Sequence, residues 1–167
     1  LVTDVSEVLE LLRARQMGSD LFLAGVHQKV LKALNQADYL SPKYHVVVAN
    51  PPYMGGGGMN ASLKGWAKTE YPRSKIDLFA MFMERTLEMT TRLGFVGMIN
   101  LPSWLFLSAF APLRKDITEN YRISSLIHMG RGIFGIDWGS VAFVICNTSS
   151  RDQHGAFFRL HERNFQH

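Results

Sequence analysis

The chain has 167 residues, of which 47% are hydrophobic and 11% aromatic, a composition that supports a folded core and excludes a disordered chain. Lys and Arg number 18 against 14 Asp and Glu, and this net charge of +4 permits a polyanionic partner but equally fits a solvated surface. The single cysteine, Cys146, excludes an internal disulfide, and neither a long apolar run nor a signal-peptide pattern is present. We therefore expect a soluble cytoplasmic protein with no membrane partner.

Two amphipathic helices are predicted before the first strand. Apolar residues at helical spacing indicate helices over about residues 4–15 and 21–37, with a break at residues 18–20. An α/β domain ordinarily opens with a strand and then alternates. We therefore interpret residues 1–40 as a helical lead-in and expect part of the domain to precede it.

A buried strand is predicted over residues 45–49 from its β-branched apolar run, and it leads directly into Asn50-Pro51-Pro52-Tyr53. The two prolines end the strand because they remove two backbone donors and fix φ. A rigid turn at the carboxyl end of a strand in an open α/β sheet faces the ligand crevice. These four residues are therefore candidates for chemistry rather than for core packing.

The chain after this turn is rich first in glycine and then in basic residues. The glycine run at residues 55–58 predicts a mobile lip that allows close backbone approach to a ligand, and it lacks the Gly-Lys-Ser/Thr of a phosphate-binding loop. Residues 61–75 mix basic and aromatic side chains, which suits a nucleic-acid backbone with unstacked bases, although a plain solvated loop explains them nearly as well. The basic residues are Lys64, Lys68, Arg73 and Lys75, and the aromatic ones are Trp66 and Tyr71.

The rest of the chain alternates helices and strands. A long helix is predicted from about Ile76 to Arg92, with Asp77 in its first turn, a Met-rich stripe more typical of core than of a cofactor site, and Gly94 as its terminator. The last two clear strands are joined without a helix of ordinary length and should pair antiparallel, whereas the earlier strands should be parallel. The remaining predicted elements are strands at 95–101, 123–129 and 141–146, a helix near 109–120, and the start of a further strand at 156–160.

The Asn-Pro-Pro-Tyr turn carries the acceptors that an aromatic amine needs before it can attack an electrophile. Such an amine is a poor nucleophile because its lone pair is delocalised into the ring. The side-chain carbonyl of Asn50 and the backbone carbonyl of Pro51 can each accept one N–H, which frees the lone pair without an ionisable base. Tyr53 offers a flat face to a base, and a base in a duplex must first be flipped out to reach it.

The turn resembles motif IV of the S-adenosylmethionine-dependent amino methyltransferases. Residues 75–85, 94–99 and 102–104 are similar in order and spacing to the following motifs of gamma-class DNA adenine methyltransferases. Residues 49–60 and 71–75 look closest to the large methyltransferases of BREX-type phage-exclusion systems and their Type IIG restriction relatives. The resemblance covers about residues 40–146.

The resemblance implies an α/β fold, namely the C-terminal half of a Rossmann-like class I methyltransferase sheet. Three or four strands, the last pair antiparallel, would carry flanking helices. Residues 41–146 would be a partial catalytic domain, and residues 147–167 the start of a C-terminal extension. The family's glycine-rich cofactor loop is not found before residue 50. We therefore expect the chain to lack the cofactor-binding half and to leave one edge of the strand at 45–49 unpaired.

The resemblance also assigns roles to single residues. Asn50 and Pro51, in the turn completed by Pro52, would hold the target amine, and Tyr53 would stack on the base. The second aromatic that clamps the base would be Phe134, with Trp138 a weaker candidate and a core position in a hairpin as the alternative. The residues that border the adenine side of S-adenosyl-L-methionine would be Leu78 and Phe79, although either is equally compatible with core packing.

The expected function is methyl transfer from S-adenosylmethionine to N6 of a flipped adenine in double-stranded DNA, by a longer protein that contains this chain. Other subunits of a defence system are further expected partners. The alternatives are the same chemistry on an RNA base or a protein glutamine, or a non-catalytic DNA-contacting fragment that cannot bind the cofactor alone. No metal is expected, because the six histidines show no ligand spacing and one cysteine cannot build a zinc site.

Overall fold

The computed structural model describes residues 5–14, 21–133, 139–149 and 154–160. The chain divides into two compact units, Leu1–Pro42 and Lys43–His167. Each unit has its own elements.

The first unit consists of two helices that pack against each other, α1 (Val5–Ala14) and α2 (Leu21–Leu40). Both predicted helices are confirmed, and α2 runs three residues further than its apolar spacing indicated. The Ser41 hydroxyl donates to the carbonyl of Ala37 at 2.6 Å and satisfies one of the free carbonyls at its end. Although α2 has 20 residues, no helix among the described residues is apolar and long enough to cross a membrane.

The second unit is built on a five-stranded mixed sheet in the order β1-β2-β4-β3-β5. β1 is parallel to β2, β3 is parallel to β5, and β4 is antiparallel to both of its neighbours. The predicted α/β fold is confirmed, and so is the antiparallel final pair, β3 with β4. The short β5 raises the number of strands to five, above the three or four expected. The strands are β1 (Tyr44–Ala49), β2 (Thr90–Asn100), β3 (Arg122–Gly130), β4 (Ser140–Cys146) and β5 (Ala156–Arg159).

β4 lies between β2 and β3, an arrangement that the prediction of strand directions did not include. β4 pairs with β2 from Phe95 opposite Cys146 to Asn100 opposite Val141, and its other edge pairs with β3. β2 and β3 therefore run in the same direction, as expected of strands joined by a helical crossover, but they are not neighbours.

Three helices of about three turns each accompany the sheet, α3 (Ala61–Glu70), α4 (Leu78–Glu88) and α5 (Ala111–Asn120), with short 3-10 turns between β2 and α5. The solvated-loop interpretation of residues 61–75 is wrong, because residues 61–70 are helical. Asn60 caps α3 by accepting from the Leu63 amide at 2.8 Å, and Ala67 packs in a small cluster with Met59 and Met81.

α4 is shorter than the predicted helix, and Gly94 does not end it. The helix begins after its N-cap, Asp77, and ends at Glu88. Gly94 lies inside β2 and is buried, where a Cβ would come within 2.7 Å of the His45 carbonyl oxygen. Its lack of a side chain therefore lets β2 approach β1 closely. The preceding Leu93 has a positive φ of 64°, which bends the strand at this point.

The main core lies between one face of the sheet and the helices α4 and α5. Alternate residues of β2 and β4 contribute one side of it, and the apolar stripe of α4 contributes the other, which confirms that its methionine-containing face is core. The fully buried members include Phe79 and Met83 of α4, Leu113 and Ile117 of α5, Val96 of β2 and Val141 of β4.

β1 is only half buried, although its sequence predicted a buried strand. Val47 and Ala49 pack against the core, whereas Val46 and Val48 on the opposite face are 59% and 77% exposed. Among the described strands β1 pairs with β2 alone and forms the edge of the sheet. This edge position is the one expected for a strand with an unpaired side.

Candidate active site

The turn Asn50–Tyr53 leaves β1 at its carboxyl end. Ala49 lies opposite Met98 in the parallel ladder, so the turn shares one end of the sheet with the end of β2. Pro51 is buried, whereas Asn50 and Tyr53 are exposed. The buried proline anchors the turn, and its polar and aromatic side chains remain accessible, as the sequence predicted for this position.

Tyr53 and Asn50 are neighbours within the turn. The Tyr53 hydroxyl donates to Asn50 Oδ1 at 3.4 Å, a long hydrogen bond that leaves this carbonyl able to accept from a ligand. Burial raises the pKa of Tyr53, so the hydroxyl keeps its proton at neutral pH. The edge of its ring meets Phe79 at a centroid distance of 6.2 Å and an angle of 88°, and the ring is 38% exposed. Tyr53 is thus braced from inside while part of its surface stays open.

The chain leaving the turn is hydrogen-bonded to the start of α4. The Met54 amide donates to Asp77 Oδ1 at 3.0 Å, and the Leu78 amide donates back to the Met54 carbonyl at 3.0 Å. The Gly56 amide adds a bond to the Ile76 carbonyl at 3.0 Å. Sequence reasoning placed Asp77 only in the first turn of a helix. Its bond to Met54 joins residues far apart in sequence, and no local pattern signals it.

The glycine run forms a hydrogen-bonded turn, and its mobility stays a prediction. Gly55 forms an antiparallel bridge with Asp77, and the Gly58 amide donates to the Gly55 carbonyl at 2.9 Å. None of the four glycines has a positive φ, and nothing lies within 4 Å of where a Cβ of Gly57 would be. Backbone groups of Gly55 and Ile76 thus accept hydrogen bonds from the amides of this turn.

A second set of hydrogen bonds supports the loop that follows β2. Asn100, fully buried at the end of the strand, accepts from Trp104 Nε1 at 3.1 Å. Arg114 donates to the carbonyls of Trp104 and Leu107 at 2.8 and 2.6 Å. The sequence analysis singled out neither Asn100 nor Arg114. The available signal was for Asn100, a polar residue at the end of an apolar strand just before Pro102.

The two residues predicted to border the cofactor take part in packing. Phe79 is 0% exposed and lies between Tyr53 and Phe110, with a centroid distance of 5.6 Å to the latter. Leu78 is half-buried and packs against the Met59 cluster beneath α3. Cofactor contact by Leu78 or Phe79 stays a prediction, and the Phe79 ring presents no open surface in this structure.

The basic residues predicted to contact DNA differ in their surroundings. Lys64 and Lys68 lie one turn apart on α3, and both are exposed, as is Lys75. Arg73 is held instead by two carboxylates: its Nε and Nη2 donate to Glu84 Oε2 at 3.0 and 2.8 Å, and its Nη1 lies 3.0 Å from Asp116.

These ion pairs affect the pKa of Arg73. Partial burial alone would lower the pKa, but the hydrogen bond and charge of Glu84, together with the charge of Asp116, outweigh it and raise the pKa. DNA contact by Arg73 stays a prediction, while the structure gives this side chain a role in joining its loop to α4 and α5.

The structure thus brings Asn50, Tyr53 and Phe79 together, with Pro51 buried within the same turn. Phe134 and Trp138, the candidates for the second base clamp, lie outside the described residues. Within the described ranges, no three His, Cys, Asp or Glu side chains gather in a way that could hold a metal ion.

Known proteins are similar to this chain in sequence. Residues 20–134 match the family model of the Eco57I restriction-modification methylase. The adenine-specific methyltransferase BrxX of Escherichia coli O9:H4 (strain HS) is 41% identical over 143 residues, which cover 83% of this chain and 12% of that protein. The adenine-specific methyltransferase PglX of Lacticaseibacillus casei (strain Zhang) is 38% identical over 125 residues, 72% of this chain and 10% of that protein. The chain therefore spans only a small part of these relatives.

Solved structures agree on the fold. A structure from Listeria monocytogenes assigned to the class I S-adenosylmethionine-dependent methyltransferases has a TM-score of 0.56 at 16% identity, and the match covers 71% of this chain and 37% of that one. The mixed sheet therefore corresponds to part of a class I methyltransferase sheet. The resemblance inferred from the turn and the following motifs is confirmed: the chain belongs to the Eco57I restriction-modification methylase family.

Proposed function

We propose that this chain holds and orients the target amine in an S-adenosylmethionine-dependent methyltransferase that acts on N6 of adenine in double-stranded DNA. The observation that carries the proposal is the geometry of the turn at the end of β1. The Tyr53 hydroxyl lies 3.4 Å from Asn50 Oδ1, the Tyr53 residue is 38% exposed, and Phe79 packs against its ring. An amine acceptor next to a stacking surface is what a flipped base with an exocyclic amine requires.

The chemical contribution of these residues is positional. Asn50 Oδ1 and the Pro51 carbonyl accept the two N–H groups of the amine, so that its lone pair turns out of the ring plane. Because prolines fix the backbone here, the acceptors need no rearrangement when the base arrives. Tyr53 stacks on the base and offsets part of the cost of its extraction from the duplex.

We infer that the described residues do not form the main part of the cofactor site. Phe79 is fully buried and offers no surface to a cofactor as it stands, and Leu78 is half-buried against the cluster beneath α3. The chain spans 12% of BrxX. We assign the seat to another part of a longer protein, where S-adenosylmethionine would supply the activated methyl group.

We favour double-stranded DNA over RNA or protein glutamine, because the matching family is a restriction-modification methylase and the similar proteins are adenine-specific methyltransferases. The exposed Lys64, Lys68 and Lys75 suit contacts to the phosphate backbone. The substrate would place the protein in the cytoplasm, and other defence-system subunits are its natural further partners.

Substitution of Asn50 by Ala in the longer protein tests this proposal. We expect methylation of adenine to fall by roughly 10²- to 10³-fold, the usual cost of removing one preorganised polar group, because the amine loses an acceptor. DNA affinity should be unchanged, since the backbone contacts lie elsewhere. The readouts are methyl incorporation into DNA, RNA and protein in parallel, together with DNA binding.

The matched control is Asn120→Ala, at an exposed asparagine at the end of α5 whose amide donates to Asp116. It should leave methylation intact. Wild-type methylation by the Asn50→Ala protein would refute the proposal, and incorporation into RNA or protein rather than DNA would refute the substrate.

The buried Phe79 also favours a narrower role for the 167 residues alone, as a DNA-contacting segment without cofactor affinity. Calorimetry with S-adenosylmethionine should then detect no binding at micromolar concentrations. Micromolar binding would show that these residues do form a cofactor seat.

A further inference from the structure

Asp77 joins the substrate turn to α4 through a single carboxylate oxygen. Oδ1 accepts from the Met54 amide at 3.0 Å and from the Phe79 amide at 3.2 Å. The second bond is ordinary N-capping, in which the cap side chain satisfies a free amide of the first helical turn. The first bond is not part of capping, because Met54 belongs to the residues that leave the Asn-Pro-Pro-Tyr turn.

The backbone beside Asp77 reinforces this junction. The Leu78 amide donates to the Met54 carbonyl at 3.0 Å, so Met54 is held through both its amide and its carbonyl. Gly55 pairs with Asp77 in an antiparallel bridge. The side chain of Asn60, the N-cap of α3, accepts from the Leu63 amide of its own helix. Asp77 thus makes a contact that the neighbouring cap lacks.

Both supports of Tyr53 converge on this carboxylate. Its backbone is continued by Met54, whose amide Asp77 holds, and its ring rests against Phe79, whose amide Asp77 also holds. A shift of Asp77 would therefore move the backbone and the ring support of Tyr53 together.

We propose that Asp77 is a positioning residue for methyl transfer, which holds the stacking face of Tyr53 in register with the amine acceptor Asn50. This inference rests on the proposed function. It predicts an effect on kcat rather than on KM, because a misplaced base still binds but presents its amine in the wrong direction.

Three substitutions in the longer protein separate positioning from helix stability. Asp77→Asn keeps an oxygen that accepts from both amides. Asp77→Ser keeps a good N-cap, but its side chain is too short to reach the Met54 amide as well. Asn60→Ala removes the N-cap of α3 but leaves the Asn-Pro-Pro-Tyr turn unchanged. It therefore serves as a control for the loss of a helix cap alone, with the bond from Met54 to Asp77 kept.

We expect Asp77→Ser to lower kcat on the order of 10²-fold while KM for DNA stays within about threefold of wild type. Asp77→Asn should restore most of the activity, and Asn60→Ala should leave kcat unchanged.

Hydrogen exchange on the 167-residue chain should show the Met54 amide losing protection in Asp77→Ser and keeping it in Asp77→Asn. The fluorescence of 2-aminopurine at the target base should report altered stacking only in Asp77→Ser.

Wild-type kcat in Asp77→Ser, or equal losses in Asp77→Ser and Asn60→Ala, would overturn the inference. An unprotected Met54 amide in the wild-type chain would overturn it even if a variant failed to fold. If Asn50→Ala is inactive and Asp77→Ser is fully active, this inference alone is refuted. If Asn50→Ala is active, the proposed function itself is refuted.

Discussion

At the scale of single residues, the proposed function depends more on the aromatic face of Tyr53 than on its hydroxyl. The hydroxyl makes only a 3.4 Å bond to Asn50, whereas the ring packs on Phe79 and keeps an exposed surface. Phenylalanine at this position preserves the ring and its support. Alanine removes both the stacking surface and the contact with Phe79.

We predict that Tyr53→Phe in the longer protein retains methylation within a few-fold of wild type. Tyr53→Ala should weaken binding of the extrahelical base by roughly 1 to 3 kcal/mol, the range for loss of one base-aromatic stack. Steady-state kinetics on duplex DNA measures both. Equal impairment of the two variants would show that the hydroxyl, not the face, carries the function.

Two glycines of the second unit differ in what a side chain would meet. A Cβ at Gly57 has no neighbour within 4 Å, and the residue does not have a positive φ. A Cβ at Gly94 would lie 2.7 Å from both the His45 carbonyl oxygen and Thr90 Cγ2. One glycine tolerates replacement, and the other is needed for the close approach of β2 to β1.

We predict that Gly57→Ala raises the free energy of unfolding by roughly 0.4 to 1 kcal/mol, because it restricts the unfolded chain without strain in the folded one. Gly94→Ala should lower it by roughly 1 to 3 kcal/mol through overpacking. Urea denaturation of the two variants checks the pair. A destabilised Gly57→Ala would mean that the glycine run needs its freedom after all.

At the scale of elements, Arg73 ties the loop after α3 to two helices. Its guanidinium contacts Glu84 of α4, whose side chain is 3% exposed, and Asp116 of α5. A carboxylate buried to this degree destabilises the fold unless a cation compensates its charge. Arg73 therefore contributes to stability, whether or not it also contacts a ligand.

We predict that Arg73→Ala lowers the free energy of unfolding by about 2 kcal/mol, less than for a fully buried pair because the arginine is 44% exposed and partly screened. The control is Lys115→Ala, since Lys115 forms an exposed pair with Glu119 at 3.9 Å and should cost at most about 0.5 kcal/mol. Chemical denaturation measures both. A double-mutant cycle with Glu84→Gln should show strong coupling, and an additive cycle would contradict the assignment.

At the scale of the whole chain, three tyrosines make the fold sensitive to alkali. Burial raises the pKa of Tyr53, Tyr71 and Tyr121. Nearby carboxylates, first Glu88 for Tyr71 and Asp116 for Tyr121, raise the pKa of the latter two further. In each case the folded state favours the protonated phenol.

A raised folded pKa means that the stability from these phenols is complete below the unfolded pKa of about 10 and is lost as pH rises through the folded pKa. We therefore predict that the free energy of unfolding falls above about pH 10. Urea denaturation across this range measures the decline, which Tyr121→Phe should make shallower. An identical slope in wild type and Tyr121→Phe would contradict the contribution of this residue.

The elements that were predicted well are those defined by neighbours in the chain. Helical spacing indicated α1, α2 and the core face of α4, and the apolar runs indicated the strands. α3 was missed because residues 61–70 contain few apolar side chains and a glycine, and their helix is supported by the Asn60 cap and by packing of Ala67 against Met59 and Met81. Gly94 was misread because its role depends on His45 across the sheet.

The sequence by itself determined the chemistry of the turn, because proline geometry and the acceptor atoms of Asn50 and Pro51 belong to adjacent residues. Only the tertiary structure decided which side chains are free to use that chemistry. It buried Phe79, engaged Arg73 with Glu84, and brought Asp77 to Met54. These outcomes depend on contacts between residues distant in the chain, which local patterns do not encode.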